Sequence, residues 1–80
     1  MIKTHEKSLA DCAPGAEGAV TALEGDRALR LRLMELGFCP EATVRVVRRA
    51  PFGCPMEVEV EGARFSVRAD VARSVRLRHG

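Results

Sequence analysis

Residues 56–67, MEVEVEGARFSV, decide the fold. Met56, Val58 and Val60 alternate with Glu57, Glu59 and Glu61, and beyond the turn Glu61-Gly62-Ala63 the residues Ala63, Phe65 and Val67 alternate with Arg64, Ser66 and Arg68. A two-residue period sends successive side chains to opposite faces of a strand. The stretch is therefore a β-hairpin with an apolar inner face and an outer face on which Glu and Arg rows are placed to pair across the strands.

The same reasoning extends in both directions. TVRVVRR (43–49) sets Val44 and Val46 on one face with Arg45 between them, before Val47 blurs the alternation. APFGCP (50–55), with two prolines and a glycine, reads as a loop. ADVAR (69–73) reads as a single helical turn, and SVRLRHG (74–80) as a last strand with Val75 and Leu77 inward. Upstream, 18–23 is a short first strand whose apolar residues alternate only loosely, with β-branched Val20 and Thr21 at its centre. Ser8 is placed to cap a one-turn helix over LADC (9–12). Residues 1–7 carry His5 and charges with little to bury, and are expected to be a flexible N-terminus ahead of one domain over 8–78.

Between the first strand and TVRVVRR lies RALRLRLMEL (27–36), built throughout from strong helix formers. Asp26 is placed to cap it, Gly37 to end it in a left-handed turn, and Pro40 to prevent its resumption. The fold class predicted is mainly β: a small five-stranded SH3-like barrel, closed so that no open edge remains, with one inserted α-helix at about residues 27–36.

Composition narrows the function classes. A chain of 80 residues hides only about 60% of its unfolded surface on folding, so a deep catalytic cleft would consume much of its core. No enzyme is expected. Thirteen Lys and Arg against 11 Asp and Glu make a mixed-sign surface rather than a nucleic-acid tail. The bias of Arg over Lys suits forked contacts to carboxylates or phosphates, and a GC-rich genome would produce the same bias. No apolar run approaches the roughly 20 residues of a membrane span, and MIKTHEKSLADC lacks the apolar core of a signal peptide, so a cytoplasmic location is expected. Cys12, Cys39 and Cys54 are odd in number and lack CxxC spacing, which argues for reduced thiols.

On the helix, Leu29, Leu33 and Leu36 share an arc by their spacing and are expected to lie on the barrel. Leu31 and Met34 point the other way, beside Arg27 and Arg30. Two readings of that pair stand together: contact with the N-terminal segment or Phe38, or part of a partner surface, for which adaptable Met and interface-favoured Arg are suited. Phe38 is expected to fold back into the core.

LADCAPGAEGAV followed by LEGDRALRLRLMELGFCPEATVRVVRRAPFGCPMEVEVEGARFSVR resembles the FeoA family, small accessory proteins of bacterial ferrous-iron uptake. The most specific part is LRLRLMELGFCP (29–40). The resemblance implies an SH3-like barrel with an inserted helix, a cytosolic adaptor or regulator that binds the cytosolic region of the membrane GTPase transporter FeoB, and room for a third Feo component or weak self-association. A similar fold is appended to iron-dependent repressors, behind a winged helix and a dimerisation domain that this sequence lacks. Cys39-Pro40-Glu41 stands where the family usually has Thr-Pro-Gly, and Leu31 where Arg is common.

The expected partner surface is Arg27, Arg30, Leu31 and Met34 with Phe52 of the loop. Arg48 and Arg49 join Arg27 and Arg30 as candidate arginine fingers for a GTPase, against the commoner role of solvated arginine. No metal site is built in: the histidines His5 and His79 lie near the termini without His-carboxylate spacing. Cys39 or Cys54 with either histidine, or with a second molecule, could hold opportunistic zinc. Nucleic-acid binding, or an iron-dependent regulatory module, is the alternative, but the chain has neither Trp nor Tyr as a stacking platform.

Overall fold

The computed structural model describes residues 5–51 and 54–79. The elements run β1 (His5–Ser8), β2 (Glu17–Leu23), α1 (Arg27–Leu36), β3 (Thr43–Arg49), β4 (Met56–Val60), β5 (Ala63–Val67), α2 (Ala69–Ala72) and β6 (Val75–His79), with a 3-10 turn at Leu9–Asp11. All strand pairs are antiparallel, in the order β1-β6-β2-β3-β4-β5.

The expected hairpin forms as β4 and β5, with Glu61 at φ 51° and Gly62 at φ 84°. Positive φ at both central residues makes a turn whose twist matches that of the flanking strands. Val44, Val46, Met56, Val58 and Val60 from β3 and β4 meet Val20 and Leu77 in one core, closed by Phe38 and Leu33. Phe65 is half-buried rather than fully inside. Its ring meets that of Phe38 edge-on, with centroids 5.5 Å apart.

The two places where alternation fails in the sequence are bulges. The β3–β4 register shifts between Val46 and Arg48, which leaves Val47 as the extra residue; the β2–β6 register shifts between Val20 and Ala22, which does the same for Thr21. The Thr21 hydroxyl donates to the Arg76 carbonyl at 3.3 Å across that irregularity.

Six strands form, not five, and their hydrogen-bonded order ends at β1 and β5 instead of closing without an edge as expected. Residues 5–7, expected to be flexible, belong to β1, which pairs along β6 from His5 opposite His79 to Ser8 opposite Arg76. Composition misled here because an edge strand needs only backbone hydrogen bonds and one anchored end. The anchor is the 3-10 turn, with Leu9 fully buried. Ser8 occupies the cap position without capping; its hydroxyl donates to the Asp11 carboxylate at 3.1 Å. The Arg49 guanidinium donates to the carbonyls of Cys12 at 3.0 Å and Ala10 at 2.9 Å, and so ties the segment to β3.

Candidate functional site

Helix α1 is fixed at both ends by the residues read from sequence. The Asp26 carboxylate accepts the Leu29 N–H at 2.8 Å. At the other end Gly37, at φ 113°, donates to the Met34 carbonyl while the Phe38 N–H donates to that of Leu33. This is the Schellman pair, and it brings Phe38 back against Leu33. Gly25 precedes the cap at φ 104°, a left-handed conformation that favours glycine.

So fixed, α1 buries little. Leu33 is 1% exposed and Leu29 is half-buried, while Leu31, Met34 and Leu36 are 51%, 44% and 49% exposed. Among the described residues these three are the exposed large hydrophobics, and all lie on this one ten-residue helix. The expectation that Leu36 packs inward is corrected. Phe38 takes the core position at the end of the helix, so Leu36 borders an open groove that the spacing on the wheel could not reveal.

Two grooves flank α1. One, of about 490 Å³, is lined by Leu23, Arg27, Arg30, Leu31, Met34 and Pro40. The other, of about 240 Å³, runs between α1 and the β5–α2 segment and includes Leu36, Val67, Val71, Arg32 and Arg68. Four of the five residues expected to meet a partner, Arg27, Arg30, Leu31 and Met34, are thus gathered in one groove. Phe52 lies outside the described residues. Leu23 and Pro40 complete the floor and were not anticipated, because only the tertiary fold brings the end of β2 and the helix exit to the same side of α1.

Charge divides the surface. On the sheet, Arg45 pairs with Glu59 at 2.6 Å, Arg48 with Glu57 at 2.9 Å and Arg78 with Glu41 at 2.9 Å, while Arg64 stands 3.8 Å from Glu59. The Glu row of β4 therefore pairs mainly with β3 rather than across its own hairpin. The hydrogen bond from Arg45, with its charge, holds the Glu59 carboxyl below the usual carboxylate range and raises the guanidinium in turn. By contrast Arg27, Arg30, Arg32 and Arg68, which line the grooves, make no ion pair or side-chain hydrogen bond with any described residue. Of the four candidate fingers, Arg48 and Arg49 are occupied by Glu57 and by backbone carbonyls, which leaves Arg27 and Arg30.

The metal candidates are scattered. Cys39 is exposed and its thiol donates to the Met34 carbonyl at 3.6 Å; Cys54 is exposed and its sulfur accepts the Ala69 N–H at 3.4 Å. His5 and His79 are opposite each other in the β1–β6 register, a juxtaposition that their sequence separation hid. Their side chains lie outside the described residues. Among the described residues no three His, Cys, Asp or Glu gather at one point. Cys12 is buried, and burial pushes its thiol up.

A family profile described as the FeoA domain matches residues 7–79. The chain belongs to the FeoA family. Among solved structures, an iron uptake regulatory protein (FeoA) is 30% identical, with a TM-score of 0.85 over 92% of this chain and 97% of its own. The FeoA of Chlorobium tepidum is 33% identical, with a TM-score of 0.80 over 91% of this chain and 69% of its own. The FeoA of Stenotrophomonas maltophilia, solved with zinc and described as a prokaryotic SH3 domain protein, is 27% identical with a TM-score of 0.72 over 99% of this chain and 100% of its own. The barrel is accordingly SH3-like. A manganese-dependent transcriptional repressor shares the fold at 18% identity and a TM-score of 0.86, with this chain spanning 44% of its length. A search of curated proteins returned no significant match. In the turn after α1, Glu41 stands in the left-handed region at φ 71°.

Proposed function

We propose that this FeoA-family chain is a non-catalytic cytoplasmic accessory of ferrous-iron transport that works by docking on the cytosolic region of an FeoB-type membrane GTPase transporter, alone or with a third Feo component. The observation that supports it is the placement of the exposed large hydrophobics. Leu31, Met34 and Leu36 share one capped helix, bracketed by arginines that pair with no described residue. Leaving apolar and guanidinium groups in that state gains the isolated domain nothing, and both are favoured at interfaces. The Stenotrophomonas relative, described as a candidate activating factor of bacterial ferrous iron transport, points the same way.

The repressor likeness carries the fold alone and lends nothing to the regulatory alternative. Nor do the described aromatics favour nucleic acid, since Phe38 is buried and Phe65 packs against it. Zinc in this reading is adventitious, held by Cys39 or Cys54 with a terminal histidine or a second molecule. Metal analysis of protein purified without added zinc, returning a stoichiometric resident metal, would refute that part.

The test is calorimetric titration of the purified chain with the transporter's cytosolic GTPase region, in the GDP-bound, GTP-analogue-bound and nucleotide-free states. Saturable binding that differs between nucleotide states is expected. Absence of binding in all three would sink the adaptor reading.

A further inference from the structure

The groove on the Leu23–Pro40 side of α1 is graded along its length. Its residues follow a helical order. Arg27 and Arg30 are three apart on one face, and Leu31 and Met34 are each four residues further on, one turn along the same face. The groove is therefore basic at its N-terminal end and apolar at its C-terminal end, where Leu23 and Pro40 complete the floor.

No carboxylate lines it. The nearest acid on the helix start, Asp26, is occupied with the Leu29 N–H and forms no ion pair with either arginine. Moreover, α1 has no acidic residue in its first turn and begins with Arg27, so cations stand at the end where the aligned peptide dipoles are also positive. An intramolecular purpose for that arrangement is absent among the described contacts. An incoming anion would relieve it.

A second copy of this chain does not supply that anion. A symmetric interface uses the same patch on both sides, so it gathers four guanidinium groups and no carboxylate. Like charges facing each other across an interface are costly.

We propose, resting on the docking reading above and deepening it, that this groove receives an acidic amphipathic helix: a partner segment with two carboxylates one turn away from two large apolar side chains. The carboxylates meet Arg27 and Arg30 through forked guanidinium contacts, and the apolar pair fills the floor formed by Leu23, Leu31, Met34 and Pro40.

Two synthetic helical peptides with the same apolar anchors test it, one carrying Glu at the charged positions and the other Lys, each titrated by NMR into the isotope-labelled chain. The Glu peptide is expected to bind about tenfold more tightly or better at low salt, with shifts centred on Leu23, Arg27, Arg30, Leu31 and Met34. That preference should shrink toward 0.5 M salt, where the screening length falls to only about 4 Å. In Arg27→Glu/Arg30→Glu, two exposed and unpaired positions whose replacement suits the helix dipole, the preference reverses toward the Lys peptide while the melting temperature holds. Equal binding of the two peptides, no binding of either, or shifts elsewhere overturns the proposal. The transporter region serves as the separate arm. If it binds wild type and the Arg27→Glu/Arg30→Glu variant alike, the adaptor reading stands and the acidic occupant is wrong. If it binds neither while the Glu peptide binds wild type, the groove chemistry stands and the partner is another protein.

Discussion

The outer face of β3 and β4 and the outer face of α1 carry the same ingredients, arginines interleaved with other side chains, and dispose of them in opposite ways. On the sheet, Arg45 and Arg48 find Glu59 and Glu57, directly opposite in the register, and Val46 and Val58 between them point inward to the core. On the helix, Arg27 and Arg30 find no described carboxylate, and Leu31 and Met34 point outward. The sheet face is complete within one molecule. The helix face is incomplete, and a surface of that kind is what a docking domain must keep available at some expense to its own stability.

Substitutions can sharpen or break that contrast. The largest effect on stability is expected at the one fully buried side chain of α1: Leu33→Ala should cost about 2–5 kcal/mol through lost burial and the cavity left behind, whereas Leu36→Ala should lie within about 0.5 kcal/mol of wild type as a surface change. Chemical denaturation of both measures the difference. Equal losses would mean that Leu36 is core after all and that the helix face is smaller than described.

Arg49 belongs to neither face, since its guanidinium is occupied by the Ala10 and Cys12 carbonyls. Arg49→Ala should cost about 1–3 kcal/mol, the range for hydrogen bonds to a charged group and for the carbonyls left unsatisfied. Hydrogen exchange should show the loss concentrated in β1 and the 3-10 turn. Unchanged protection there would show that the segment is held by Leu9 alone.

Glu41 is the smaller case. Its left-handed conformation costs about 1–2 kcal/mol for a residue with a Cβ, against an exposed ion pair with Arg78 worth about 0–1 kcal/mol. Glu41→Gly should therefore raise stability by up to about 1 kcal/mol after the extra chain entropy of glycine is counted. A fall in melting temperature would mean that the ion pair outweighs the strain.

The smallest effect belongs to the sheet ladder. The Glu59 carboxyl is depressed in the folded state, so it contributes stability above its unfolded value, and that contribution is lost as pH falls through the folded one. A gentle decline in stability below the ordinary glutamate range, weakened by salt and abolished in Glu59→Gln, is the expected signature.

The sequence made the barrel legible wherever alternation was clean, as at 56–67, and the helix legible through Asp26 and Gly37, whose geometry is what those residues do at helix ends. It hid β1, because an edge strand held by backbone hydrogen bonds and by Arg49 leaves no mark in composition. It also hid the bulges at Thr21 and Val47, which appear in sequence only as broken alternation. Of the candidate site, Arg27, Arg30, Leu31 and Met34 were legible from the wheel. Leu23, Pro40 and the exposure of Leu36 were not, since each depends on where Phe38 and the end of β2 come to rest in three dimensions.

The most direct test is calorimetric titration of the transporter's cytosolic GTPase region with three proteins: wild type, Leu31→Asp/Met34→Asp and Arg48→Ala/Glu57→Ala. The helix variant should lose binding by about a hundredfold or more, as expected when two anchors worth a few kcal/mol together are removed, while still unfolding cooperatively near the wild-type temperature. The ladder variant should bind as wild type does. Retained binding in the helix variant, or its loss only in the ladder variant, would contradict the division of the surface into a self-contained sheet face and a docking helix.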